Sequence, residues 1–141
     1  MFDFLIPLHP KLVHFPIALI MTALIFELLG RFLKKNPLSE AALLIYVFAA
    51  ALTPVVVYTG LGEEARLHLH HPLLEEHEKF ALLTMWISLA SLPVLWFLRR
   101  ASEKVFKNSF LLLLLILAVT VTVAAHFGGQ MVYGYGVGVS S

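Results

Sequence analysis

Four long apolar runs decide most of what this chain can become. They lie within residues 12–33, 41–61, 77–98 and 108–127, and each is close to the roughly 20 residues that a helix needs to cross hydrocarbon at about 1.5 Å per residue. Strands are excluded on physical grounds. The runs lack the apolar/polar alternation of a barrel, and an open sheet would leave backbone groups unsatisfied in lipid. The expected fold is all-α: an integral membrane four-helix up-and-down bundle, a single transmembrane domain over residues 1–141. Composition agrees, with 60% hydrophobic and 13% charged residues, against roughly half and a quarter in soluble domains.

The chain opens "MFDFLIPLHPK", without a basic n-region or a small-residue cleavage site, so this segment is expected to be retained. The absence of cysteine rules out disulfides, iron–sulfur ligation by thiolate and covalently attached c-type haem. A formal charge of +1 gives no pointer to nucleic acid.

Charge position says more than the total. Arg31, Lys34 and Lys35 fall in the first connection and Arg99, Arg100, Lys104 and Lys107 in the third, so seven of the ten basic residues share one side. The positive-inside rule makes that side cytoplasmic. The second connection, with Glu63, Glu64, Glu75, Glu76 and Glu78, is then extracytoplasmic together with both termini and all seven histidines.

Depth along the spans brings potential ligands to one level near the outer surface. His14 opens the first helix, Glu64 closes the second, His77 opens the third and His126 closes the fourth. From His77, helical steps reach Ala81, Thr84, Ser88 and Ser91, a stripe of small and weakly polar residues that belongs against other helices. Back from Glu64 the steps reach Gly60, Val57, Thr53 and Ala50, which makes Glu64 a better inward candidate than Glu63. His14 leads to Ala18, Met21 and Ile25, and His126 leads back to Thr122 and Val119.

Other features carry less. Glu27 and Arg31 are spaced for a local i,i+4 ion pair, with Arg31 expected to reach the headgroups. The "HLHH" cluster at His68–His71 reads as a solvated loop rather than a metal site. Pro54 and Pro93 interrupt the middle helices, where neighbouring side chains can satisfy the freed carbonyls. The tail's "GYGVG" follows a membrane helix rather than a strand, which defeats a phosphate-loop reading.

The segments "LHPKLVHFPIAL", "TGLGEEA", the lone His77 opening the third span and "HFGGQMVYGYGVGV" together resemble the predicted four-helix bacterial membrane protein family known as domain of unknown function 2231. The resemblance covers nearly the whole chain. It implies a bacterial inner-membrane protein with His9, His14, Glu64, His77, His126 and the Gly128–Gly129 pair at the family's motif positions. Relatives joined to Rieske or cytochrome c domains imply a place in respiratory electron transfer.

Two site chemistries and one purely structural role follow as expectations. In the first, haem b sits near the extracytoplasmic face with His14 and His77, on diagonally opposed helices, as the preferred axial pair. Glu64 and His126 then handle protons or face the propionates, and Gly128 and Gly129 let the returning backbone close over a flat macrocycle. Electrons would be exchanged with quinol or with an external cytochrome c or Rieske-type partner. In the second, His14, His77, His126 and Glu64 hold a zinc, copper or iron ion. The third makes the chain a small subunit of a larger complex in the lipid bilayer.

Overall fold

A computed structural model of the chain describes residues 8–67 and 71–136. Its helices are α1 (His9–Leu12), α2 (His14–Phe32), α3 (Asn36–Leu67), α4 (Pro72–Ala101) and α5 (Glu103–Tyr135), with no strand among the described residues. Val13, between α1 and α2, keeps helical backbone angles (φ −59°, ψ −28°), so His9–Phe32 forms one span. Four helices are therefore long and apolar enough to cross a membrane. The all-α four-span bundle expected from the apolar runs is what the chain forms.

The helices outrun the apolar segments, and one expectation needs correcting. The backbone does not return at Gly128–Gly129. α5 continues about two turns further and stops only at Gly136, whose φ of 65° provides the left-handed C-cap. Continuation keeps the backbone hydrogen bonds closed, whereas a turn at Gly128 would open several of them next to lipid. The segment beyond Gly136 lies outside the described residues, as do His68 and His70.

Local chemistry explains the other boundaries. Ser102 accepts a hydrogen bond from Val105 N (3.4 Å) at the start of α5, and His71 Nδ1 accepts one from Leu73 N (3.1 Å) at the start of α4. Each relieves an orphan amide of a helix N-terminus. Pro54 inside α3 removes the donor that Ala50 would use, and the neighbouring Thr53 hydroxyl supplies a substitute by donating to Ala50 O at 2.8 Å.

The four spans form a ring in chain order. Packing is most extensive within the hairpins α2/α3 and α4/α5, and less so across α2/α5 and α3/α4; diagonal backbones do not approach each other. The core consists of Ile20, Ala23, Ala42, Tyr46, Ala49, Ala50, Leu95, Phe110, Leu114, Leu117 and Val121. Because lipid is as apolar as leucine, such helices are held by close packing and by interhelical hydrogen bonds rather than by escape from water. The Thr84 hydroxyl accordingly donates to Thr120 Oγ1 at 2.9 Å.

The second hairpin repeats the first. Buried positions 42, 46, 49, 50, 53 and 56 of α3 recur as buried positions 110, 114, 117, 118, 121 and 124 of α5, a constant offset of 68 (110 − 42 = 124 − 56). His9 and His77 obey the same offset, as do Gly60 and Gly128. Both histidines start spans that run in the same direction, so the halves are parallel repeats about an axis along the bundle.

At the basic end, Arg31 does more than reach outward. Its Nε donates to buried Glu27 (2.7 Å), while the rest of the guanidinium crosses to Asn108 Oδ1 (3.3 Å) and to the Lys107 carbonyl of α5. The local ion pair is present, and it also braces α2 against α5. Nearby, Gly30 lets α2 touch α3: a Cβ there would lie 2.6 Å from Ser39 Oγ and 3.0 Å from Ser39 N. Gly30→Ala should therefore cost about 1–3 kcal/mol of stability through forced separation. Gly134→Ala, which meets nothing within 4 Å, should gain about 0.5–1 kcal/mol from helix propensity. Unfolding midpoints in detergent measure both; equal shifts would contradict the packing described.

Candidate functional site

The inward face of the first span follows from its helical spacing. Positions 9, 13, 16, 20, 23 and 27 alternate steps of four and three, the repeat of a stripe that faces a neighbouring helix. Pro16, Ile20, Ala23 and Glu27 are buried, and His9 and Val13 line a cavity of about 160 Å³ at the histidine end. In α4 the same stripe is His77, Ala81, Thr84, Ser88, Ser91 and Leu95. His77, Ala81 and Thr84 line that cavity too.

Two imidazoles from opposite corners of the bundle thus face each other. Their ring centroids are 6.5 Å apart with planes at 79°. His77 Nδ1 lies 2.8 Å from Ala124 O. His9 Nδ1 lies 3.2 Å from Val56 O and 3.1 Å from Thr59 Oγ1. A carbonyl only accepts, so Nδ1 donates in both rings, and in the neutral form of either ring Nε2 holds the lone pair.

The seats of the two rings are alike. In each hairpin 47 residues separate the histidine from its carbonyl acceptor, and one turn beyond that acceptor stands a glycine. A Cβ at Gly60 would come within 2.9 Å of His9 Cε1, and one at Gly128 within 3.2 Å of His77 Cε1 and Nδ1. A Cβ at Gly60 would force the His9 ring to shift, and one at Gly128 would crowd the His77 ring by a few tenths of an ångström. Gly129 has no such duty, since a Cβ there meets nothing within 4 Å.

Most of the lining is apolar, with Val13, Ile17, Val57, Leu61, Leu74 and Met131 among it, and acidic groups contribute from both hairpins: Glu63, Glu64 and Glu78. Glu63 is held by Arg66, whose Nη2 lies 2.5 Å from Oε1. Glu64, the expected inward carboxylate, is half-buried in the lining.

His14 and His126 are not brought there. Both are exposed on the outside of the bundle and neither lines the cavity. His14 is five residues from His9, a rotation of about 140° at 3.6 residues per turn, so the two cannot share a face. His126 is likewise about 160° from the inward-facing Ala124. The helical walks from His14 and His126 led to Met21, Ile25 and Val119, all exposed and hence on the lipid side. Among the described residues no group of three or more metal-ligating side chains converges. His71, from the loop cluster, caps α4 and places its ring 4.7 Å from that of Tyr135.

Fold and site together define a four-span α-helical membrane protein with a mainly apolar cavity lined by two opposed histidines. Residues 5–141 match the family described as "Predicted membrane protein (DUF2231)", and the chain belongs to that family. Searches of curated proteins and of solved structures return no match.

The glycine seats make a direct prediction. In nitrogen-15 NMR of histidine-labelled protein, His9 and His77 should appear as Nδ1–H tautomers. Gly60→Ala should abolish that signature for His9 and cost about 1 kcal/mol for the weakened bond. Gly129→Ala should leave His77 unchanged, and a shift there as large as that caused by Gly128→Ala would refute the seating.

Proposed function

We propose that the protein is a b-type cytochrome-like membrane electron carrier, holding one haem b between His9 and His77. The observation that supports this is the spacing of the two imidazoles. Two imidazoles bound on opposite sides of one metal atom have centroids about 6.3 Å apart, taking about 2.0–2.1 Å per metal–nitrogen bond and about 1.1 Å from nitrogen to ring centre. His9 and His77 stand at 6.5 Å, and each is fixed through Nδ1 to a carbonyl, the usual outer partner of a ligating histidine. His77 keeps the role expected from sequence, while His9 takes the place given to His14.

The two imidazoles suit a haem iron, but the cavity as it stands does not hold the macrocycle. A cavity of about 160 Å³ is that of a benzene-sized guest, smaller than the macrocycle. The reading therefore requires the sparser packing between the hairpins to yield along the plane of the macrocycle while the His9–His77 spacing is kept. When bound, haem supplies reversible one-electron chemistry at its iron.

The chain's own residues do the rest. Val56 O, Thr59 and Ala124 O orient the imidazoles and raise their basicity. The apolar walls give the macrocycle a low-dielectric surround. With the basic loops in the cytoplasm, the cavity opens extracytoplasmically in a bacterial inner membrane, where quinol or a cytochrome c or Rieske-type protein can exchange electrons with it. The acidic lining from Glu63, Glu64 and Glu78 steers a basic partner, an effect that salt weakens.

The small cavity favours one second reading, a bare zinc, copper or iron ion held by the same two imidazoles. A visible spectrum and metal analysis of the purified protein decide between them. Under the haem reading, His9→Ala and His77→Ala should each lose at least about ten-fold in bound haem, in line with loss of a ligand or its support, while His14→Ala and His126→Ala keep it. Haem retained in both of the first two variants, or a colourless protein with stoichiometric metal, would overturn the proposal.

A further inference from the structure

Polar side chains recur down the axis of the bundle where apolar ones would pack as well. Below the histidine cavity come Thr84 and Thr120, hydrogen-bonded at 2.9 Å. One turn further along α4 is Ser88, fully buried, and then Ser91 and Tyr46. The Tyr46 hydroxyl donates to Ser88 O at 2.9 Å and also meets Ser91 Oγ. Buried Glu27 follows at the basic end, 1% exposed. It lines a second cavity of about 80 Å³ with Asn36, Ser39, Glu40, Glu103, Lys107 and Phe110.

Among the described residues, two buried side-chain atoms lack a hydrogen-bond partner: Glu27 Oε2 and Ser88 Oγ. Both stand on this column. A buried polar atom without a partner costs about 1–3 kcal/mol, and a cavity of that size holds two or three waters at about 30 Å³ each. Ionisable groups inside a membrane mark ion and proton routes.

We propose that this column is a proton-transfer line, with Glu27 as its entry group at the basic end and the histidine cavity as its exit. The inference does not rest on haem. Glu27 Oε2 takes a proton from water in the 80 Å³ cavity. The proton is relayed past Phe110 to Tyr46, Ser91 and Ser88, then to Thr84 and Thr120, and leaves to water at the histidine end. Every hydroxyl gives up one proton as it gains one, so one proton enters for each that leaves and only O–H bonds change.

Phe110 separates the Glu27 cavity from Tyr46: it lines the cavity, and its ring packs against that of Tyr46 at 5.7 Å. The charged groups around Glu27 are already engaged: Arg31 with Glu27 itself, Lys107 with Glu103 (2.6 Å) and Glu40 with Arg99 (2.7 Å). Arg31 offsets the charge of the carboxylate through Oε1, and Oε2 is left without a hydrogen-bond partner.

The test uses the full chain, purified without added haem and reconstituted into liposomes containing a pH-sensitive dye, with a potassium gradient and valinomycin as the driving force. Wild-type vesicles should take up protons several-fold faster than protein-free vesicles. Glu27→Gln, which keeps the shape and the Arg31 contact, should bring the rate to within about two-fold of the protein-free value. Tyr46→Phe, remote from the ion pair, should do the same, and Glu75→Gln, exposed at the histidine end, should not change the rate. A wild-type rate equal to that of empty vesicles, or an unchanged rate in either Glu27→Gln or Tyr46→Phe, overturns the proposal. The haem reading is unaffected by either outcome.

Discussion

In lipid every backbone polar group must find its partner within the protein, and that constraint governs everything else in this chain. It turns the four apolar runs into helices and carries α5 through Gly128 and Gly129 without a turn. It also explains why Thr53 donates to the carbonyl that Pro54 strands. Once the backbone is closed, the buried side-chain polarity gathers on the axis. His9, His77, Thr84, Thr120, Ser88, Tyr46 and Glu27 all face inward, while large apolar residues such as Phe15, Leu44, Trp86 and Phe97 face lipid.

Repetition of a helical hairpin accounts for the symmetry of the site. A hairpin carrying one histidine, one carbonyl acceptor 47 residues away and one glycine a turn beyond has an imidazole at one corner and nothing for it to face. A second copy in the same orientation supplies the opposing imidazole at the same depth. Outside the seat the halves have diverged. Where the first hairpin has Ile20, the second has Ser88, and where the first has Tyr46, the second has Leu114. The polar column consequently runs mainly along α4 and along the face of α3 that meets it.

The sequence was sufficient for the number of spans, their apolar limits and the inward stripe from His77, because length and hydropathy dominate those choices. It was insufficient for choosing among histidines. In a soluble helix the polar face is the outer one, but a membrane helix is apolar on both faces, so a walk from His14 through Ala18 and Ile25 looks as inward as one from His9 through Val13 and Ile20. The offset between His9/Gly60 and His77/Gly128 was the legible signal, and it separates His9 from His14 without any structure. Arg31 was equally ambiguous. Its length suits a headgroup as well as α5, and only the packing of the hairpins brings Asn108 within its reach.

The central claim is that one group is shared by His9 and His77 across the axis of the bundle. Haem titration of the purified protein, followed by electron paramagnetic resonance of the ferric form, tests it most directly. The account predicts saturation at one haem per chain with a low-spin signal from two imidazole ligands; saturation at two per chain, or a high-spin signal from an iron with a single protein ligand, would contradict it.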